Sequence, residues 1–355
     1  MVQTTRPPVR VGIVGLGRAG FETHCAELDL YPHLFKIVAA CDPIKERRSL
    51  VAARYPECHA YRHLEDLLQD PDVELVDIAT RSDDHLVHIM AALKTEKWVH
   101  VERPFCCDHE QALMIRAAAI KAGNRLLVRN PYRFEAAFLQ TKAIMDSPLL
   151  GTVYNIRMCR GAYERRDDWQ VVKRCGGGIT LLHGTAFLDQ ALELLKSPPV
   201  KVWADFKRVA AVGDAEDYFR ILLRNLAGVT VDLEISGGRI GEKPLFVVTG
   251  SKGEYCIMPG AREAKLRYLD PGKPLERRRS SVKTPPFDSQ TTPETLHWME
   301  SALPFARDPK TDLAQIWEHV FSAIRGNKPY PIPLDHAIEV MRILSLVKKD
   351  SPFAH

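Results

Sequence analysis

The hexapeptide Gly15-Leu16-Gly17-Arg18-Ala19-Gly20 has the spacing of a phosphate-cradling turn. Its chemistry depends on missing side chains. Gly15 allows a tight turn, Gly17 leaves room for a pyrophosphate, and Gly20 lets a helix lie close against a strand. Free N–H groups at the start of that helix then face the phosphates. The pattern alone is weak. Here it follows a β-branched run, Val9–Val14, and opens a segment with helical spacing, Ala19–Leu30, which is the context that makes it specific. Asp42 closes the next apolar run, about 20 residues on, where a carboxylate accepts from the adenosine ribose and repels a 2′-phosphate. Leu16, Arg18 and Ala19 complete the turn between the glycines, and together these residues read as a nicotinamide dinucleotide site favouring NAD over NADP. Lys45, Arg47 and Arg48 pull toward NADP, and a turn before Pro43 would also explain Asp42.

These residues need a scaffold, and the first third of the chain supplies one. Apolar strand-like runs at Val9–Val14, Phe35–Cys41, Leu75–Ala79, Trp98–Val101 and Leu126–Val128 alternate with helical spacing at Ile44–Tyr55, His85–Leu93 and Glu110–Lys121. Short buried strands alternating with helices predict βαβ units and a parallel sheet covered on both faces. The pattern changes near Asn130-Pro131, which divides a dinucleotide-binding Rossmann domain, 1–130, from a second α+β domain, 131–355. The latter begins with a helix over Phe134–Met145. Strands follow at Thr152–Arg160, Val200–Val209, Tyr218–Leu226, Val229–Ile235 and Phe246–Thr249, and only one helix, Ile179–Leu195, interrupts them. That succession predicts an open, mostly antiparallel sheet with one face solvated or used in association. Residues 259–290 read as loops and a hairpin, and helices near Leu313–Ile324 and His336–Val347 close the chain, with the last able to return to the first domain.

Composition narrows the function classes. Of 355 residues, 45% are apolar and 26% charged, ordinary for a soluble globular protein. The formal net charge of +4 is too small to imply a nucleic-acid or membrane partner, and no apolar run reaches the roughly 18 residues of a spanning helix. The basic Arg277-Arg278-Arg279 run is short, Pro-flanked and poor in aromatic residues. The polar segment Met1–Arg10 lacks the apolar stretch of a signal peptide, and Cys25, Cys41, Cys159 and Cys256 fall in apolar or strand-like surroundings. Buried free thiols in a reducing cytosol are the expectation, with Cys106-Cys107 in a loop or helix start. No His, Asp or Glu cluster has metal-ligand spacing.

Several segments in order resemble the Gfo/Idh/MocA family of sugar and cyclitol oxidoreductases. Ala79-Thr80-Arg81-Ser82-Asp83-Asp84-His85 resembles the family's segment after the fourth strand. Lys97-Trp98-Val99-His100-Val101-Glu102-Arg103-Pro104 resembles its fifth strand and Glu-Lys-Pro signature, and Asn130-Pro131-Tyr132-Arg133-Phe134 the opening of its second domain. Gly176-Gly177-Gly178 with Gly184 and Asp189 resembles its Gly-rich helix at the substrate site. The resemblance implies oxidation of a ring hydroxyl with hydride passing to nicotinamide C4. The substrate would be sugar-like and lie between sheet and nicotinamide, and homodimers or homotetramers would form through the second sheet. It places Thr80, His85, Glu102 and Arg103 at the cofactor, and Arg133, Asp168 and Trp169 at the substrate, with His183 an ionisable group nearby.

Three departures qualify that picture. Arg103 stands where the family has a catalytic Lys, and Leu182 and Ala186 stand in the register of its Asp and His. A guanidinium stays charged and is no routine proton relay. Arg103 is instead suited to hold a substrate hydroxyl, carboxylate or phosphate. The first proton-transfer candidate is His183, although on an α-helix it would point about 100° from the usual position. Tyr163 and Lys173 follow as second and third. Three functions are compatible with these residues: a dehydrogenase with rearranged acid/base groups, a lyase, epimerase or glycosidase that recycles NAD, and an inactive nucleotide-binding member.

Overall fold

The computed structural model describes residues 6–280, 282, 284, 294–305 and 313–353. Its first sheet has six strands, mostly apolar and buried except for the short, largely exposed edge strand β3: β1 (Val9–Val14), β2 (Phe35–Cys41), β3 (His59–Tyr61), β4 (Leu75–Ile78), β5 (Trp98–Val101) and β6 (Leu126–Val128). The order is β3-β2-β1-β4-β5-β6, all parallel. This is the doubly wound arrangement, and its order reverses between β1 and β4, where such sheets bind ligands. The covering helices are α1 (Cys25–Leu28), α2 (Lys45–Arg54), α3 (Leu64–Gln69), α4 (His85–Ala92) and α5 (His109–Lys121). The Asp108 carboxylate starts α5 by accepting from the Gln111 N–H at 2.8 Å.

The second sheet has eight strands: β7 (Val153–Arg160), β8 (Lys201–Lys207), β9 (Tyr218–Arg224), β10 (Thr230–Ser236), β11 (Phe246–Gly250), β12 (Gly253–Ile257), β13 (Glu263–Leu269) and β14 (Trp298–Pro304). Their order is β14-β13-β12-β11-β7-β10-β9-β8, and only the β7–β10 pair is parallel. The sheet is open and mostly antiparallel, as expected. One face packs on helices α6 (Ala136–Met145) and α7 (Thr185–Leu195) through Ile156, Met158, Phe219, Ile221 and Leu233. The other leaves Trp203 exposed and Leu222 and Val247 half-buried. Strands β12, β13 and β14 were not among those expected: in β13 the alternation Glu263-Ala-Lys-Leu-Arg is period two, but its charged members resemble a loop. Other residues of 259–290 lie partly outside the described set.

Two helices return to the first domain. Helix α8 (Ile316–Gly326) covers one face of the Rossmann sheet through Trp317, Val320 and Phe321. Helix α9 (Leu334–Lys348) is shared: Ile338 and Met341 join the first domain's core, and Val340, Ile343 and Leu344 the second's.

Two expected α-helices begin otherwise. Arg18–His24 and Thr180–Gly184 are π-helical, and only then does the chain tighten into α1 and α7. Such wide turns re-aim side chains and recur at functional sites.

Candidate active site

The glycine turn lies at the switch point. Gly15 adopts φ +92°, and a Cβ there would meet the Ala79 carbonyl oxygen at 2.7 Å. Gly17 differs in kind. Its backbone is ordinary extended chain (φ −79°, ψ −162°), and a Cβ would meet only an Arg47 guanidinium nitrogen at 3.9 Å. The open space over Gly17 is the cradle a pyrophosphate fills, so the residues present fit a dinucleotide. Asp42 is buried. Its carboxylate accepts from the Leu16 and Ile44 N–H groups, both at 2.9 Å, and pairs with Arg47 at 3.3 Å. These bonds hold the carboxylate at the rim of the turn.

From this turn a cleft of about 1000 Å³ runs to the second domain. Gly15, Gly17, Arg18, Ala19, Asp42 and Thr80 line one end. Glu102, Arg103, Tyr132, Asp168, Trp169 and His183 line the other. Leu16 and Gly20 shape the turn from beneath. His183 lies in the wide turn at Thr180–Gly184, and its ring opens onto the cleft. The cleft walls and the guanidiniums of Arg103, Arg166 and Arg18 push its pKa down, so the imidazole stays neutral at ordinary pH. Arg103 donates from one Nη to the Leu182 carbonyl and lies 5.1 Å from the Tyr132 ring centroid.

Four assignments made from sequence are corrected. Tyr163 is exposed and bridges Gly238 outside the cleft, because the chain leaving β7 runs on beside the segment that follows β10. Lys173 donates to the Pro352 carbonyl at 2.8 Å and covers the Phe353 ring, held away by the C-terminal segment. Arg133 is buried in ion pairs with Asp189 and Glu193; its neighbour Tyr132 faces the cleft instead. His85 is also buried, its ring between the Pro104 and Thr80 carbonyls at 2.7 and 3.2 Å. Burial lowers its pKa, and it pins two loops rather than lining the cofactor site.

Around Glu102 in the cleft lies a charged network missing from the sequence reading. Nδ1 of His24 donates to Asp77 at 2.7 Å and Nε2 to Glu102 at 2.9 Å. His100 donates to the other Asp77 oxygen at 2.7 Å. Arg129 bridges Glu102, at 2.9 Å, and Glu27, at 2.8 Å, while the Trp317 indole N–H donates to Glu27 at 2.7 Å. Burial disfavours a charged His24, but Asp77 and Glu102 outweigh it, and its pKa is raised to about 9. Burial likewise opposes ionised Asp77 and Glu102, yet their cationic partners hold both well below the carboxylate range. Two signals were available: Asp77 is a carboxylate in an otherwise apolar strand, and His24 lies four residues beyond Gly20.

The network makes stability depend on pH. The raised His24 pKa gives stability fully present below the ordinary His value of 6.5 and lost as pH rises through about 9. The amount is about 3 kcal/mol. The unfolding midpoint in denaturant should therefore fall between pH 7 and 9.5, and His24→Gln should flatten that fall while lowering stability at pH 7. The depressed Asp77 and Glu102 values work oppositely: their contribution is present above the carboxylate range and lost in acid.

A doubly wound sheet with an open glycine cradle at its switch point, facing an open antiparallel sheet across a polar cleft, defines a two-domain dinucleotide-binding protein. Residues 9–130 match the oxidoreductase family model described as an NAD-binding Rossmann fold, and residues 138–256 match the GFO/IDH/MocA C-terminal domain. The chain belongs to the GFO/IDH/MocA oxidoreductases and is an enzyme of the dehydrogenase kind. Uncharacterized oxidoreductase C115.03 of Schizosaccharomyces pombe is 28% identical over 263 residues, 70% of each chain. The scyllo-inositol 2-dehydrogenase (NADP(+)) IolW of Bacillus subtilis is 23% identical over 353 residues, 97% of this chain and 94% of its own. The aldose-aldose oxidoreductase of Caulobacter crescentus has the same fold, with a TM-score of 0.78 at 20% identity over 96% of this chain and 97% of its own. Among the described residues, no helix is long and apolar enough to cross a membrane, and no group of three His, Cys, Asp or Glu could hold a metal ion.

Proposed function

We propose that the protein oxidises a secondary hydroxyl of a carbohydrate or cyclitol with NAD as hydride acceptor. The observation that carries this reading is the continuity of the cleft: one space joins the open cradle over Gly17 to the wall of Arg103, Tyr132, Trp169 and His183. The named relatives support it, since the IolW enzyme acts on scyllo-inositol and the Caulobacter enzyme on aldoses.

Bound nicotinamide dinucleotide supplies a hydride acceptor in that cleft. The N–H groups after Gly17 bind the pyrophosphate, and Asp42 accepts from the adenosine ribose. Trp169 offers a flat apolar face to a sugar ring, and Asp168 holds the Arg166 guanidinium at the same wall. Arg103 orients the reacting hydroxyl electrostatically. A ring nitrogen of His183, held neutral, accepts the hydroxyl proton as hydride leaves. The outer face of the second sheet, with Trp203, Leu222 and Val247, is the surface through which copies associate.

To test this, the purified protein is denatured and any released nucleotide identified. Absorbance of reduced nicotinamide is then followed against a panel of aldoses and inositols. Steady reduction of NAD supports the reading. Substrate conversion without accumulating NADH would replace it with the NAD-recycling chemistry, and no turnover with cofactor bound would leave a nucleotide-binding protein. Once a substrate is found, His183→Ala should lower kcat by about 100-fold or more with NADH affinity unchanged. An unaltered kcat would remove His183 from proton transfer.

Cofactor choice is tested at the rim of the turn. Asp42→Asn keeps a carbonyl for the Leu16 or Ile44 N–H but removes the charge that repels a 2′-phosphate and occupies Arg47. The preference for NAD over NADP, measured as a ratio of kcat/KM values, should fall about tenfold.

A further inference from the structure

The substrate end of the cleft has donors to spare and few acceptors left. The Glu102 Oε2 oxygen already takes His24 and Arg129, and its Oε1 faces Arg103 Nε at 3.6 Å, beyond hydrogen-bond range. Asp168 receives the Gln170 N–H on Oδ1 at 2.9 Å and two guanidinium N–H groups of Arg166. Against these stand Arg103, with one N–H given to the Leu182 carbonyl and its buried Nε without a hydrogen-bond partner among the described residues. Arg166 uses three N–H groups on Glu164 and Asp168, out of the five a guanidinium carries. Arg18 also reaches the cleft, and no ion pair holds it among the described residues. A neutral polyol presents hydroxyls that both give and take, and it would leave this wall's donors unmatched. A ligand made of acceptors matches them, and its bonds to guanidinium are the stronger, charge-assisted kind.

We propose that the substrate carries an anionic group, a carboxylate or a phosphate ester, which Arg103 and Arg166 hold beside His183. This rests on the dehydrogenase reading above and names its substrate class. It also gives Arg103 a task that suits its chemistry: the planar fork binds carboxylate or phosphate in two-point fashion, which an ammonium cannot do. The anion has a second effect. The cleft walls and the three guanidiniums hold the imidazole of His183 neutral and weakly basic, with no carboxylate among the charges acting on it. Seating a negative charge among those cations relieves the field, so the ring becomes a better proton acceptor when the right substrate is in place.

The test uses the full chain loaded with NADH and follows nicotinamide fluorescence while D-glucuronate, D-glucose 6-phosphate and D-glucose are titrated in turn. One or both anions should bind about tenfold or more tightly than glucose, the effect of one charge-assisted hydrogen bond. Comparing the two anions separates a carboxylate from a phosphate subsite. Raising salt should weaken the anion and leave glucose unchanged. Arg166→Gln, on a partly exposed loop, should abolish the preference with NADH affinity intact, and Arg103→Gln should abolish the preference from the other wall. NADH binding with no anion tighter than glucose would overturn the proposal, as would a preference that survives both substitutions. Failure of NADH itself to bind would instead overturn the dehydrogenase reading.

Discussion

Gly17→Val should leave a folded protein that has lost its dinucleotide, with NADH affinity reduced about 100-fold or more and a thermal midpoint within a few degrees of the parent. The two halves of that expectation have separate causes. Gly17 sits in an extended conformation that a β-branched residue adopts readily, and the space where its Cβ would go holds nothing nearer than Arg47 at 3.9 Å. The added Cβ therefore meets only the mobile end of one side chain, at ordinary van der Waals distance. It fills the space a pyrophosphate needs. Its neighbours behave differently: a Cβ on Gly20 would lie 1.9 Å from the Gly15 carbonyl oxygen, so Gly20→Val damages the turn itself. Fluorescence titration with NADH beside a thermal melt separates the two. Retained affinity in Gly17→Val would mean the phosphates do not approach this turn.

Arg129→Met should cost about 3–5 kcal/mol of folding free energy, far more than the lost packing of a side chain of similar length. Arg129 is fully buried, and its guanidinium satisfies both Glu102 and Glu27. Removing it leaves two carboxylates with His24, the more distant Arg103 and the Trp317 N–H as their remaining support. Adding Glu102→Gln to Arg129→Met should recover part of the loss, because one uncompensated charge is then gone. Denaturant unfolding at pH 7 measures both. Equal midpoints for Arg129→Met and the parent would show that the network contributes nothing to stability.

The parts of the fold legible in the sequence were those in which one physical signal dominates. Parallel strands such as Leu75–Ile78 read as apolar runs because helices cover both their faces. The glycine turn was legible because steric need restricts three positions to one residue type. Strand β13 was not, since Glu263, Lys265 and Arg267 on its open face mask the alternation of Ala264 and Leu266 beneath. At the site, Asp42, Asp168, Trp169 and His183 could be found from local context. Tyr163 and Lys173 could not be rejected that way, because the chain leaving β7 and the C-terminal segment decide where those side chains go. Arg133 and Tyr132 are adjacent, and only the short helical turn at Pro131–Phe134 settles which of them faces inward. The His24, Asp77 and Arg129 network joins three elements distant in sequence, and charge partners of that kind leave no periodic trace.

The wide turn at Thr180–Gly184 makes the substrate wall sensitive to chain length as well as residue identity. A π turn holds one residue more than the α turn it interrupts, so deleting a single residue there would restore regular winding. Everything before the deletion would then rotate about 100° relative to α7. His183 would leave the cleft and an aliphatic neighbour would take its place, with no substitution made. Two chains of this architecture that differ by one residue in that turn would thus present different groups to the same ligand, while matching closely everywhere else.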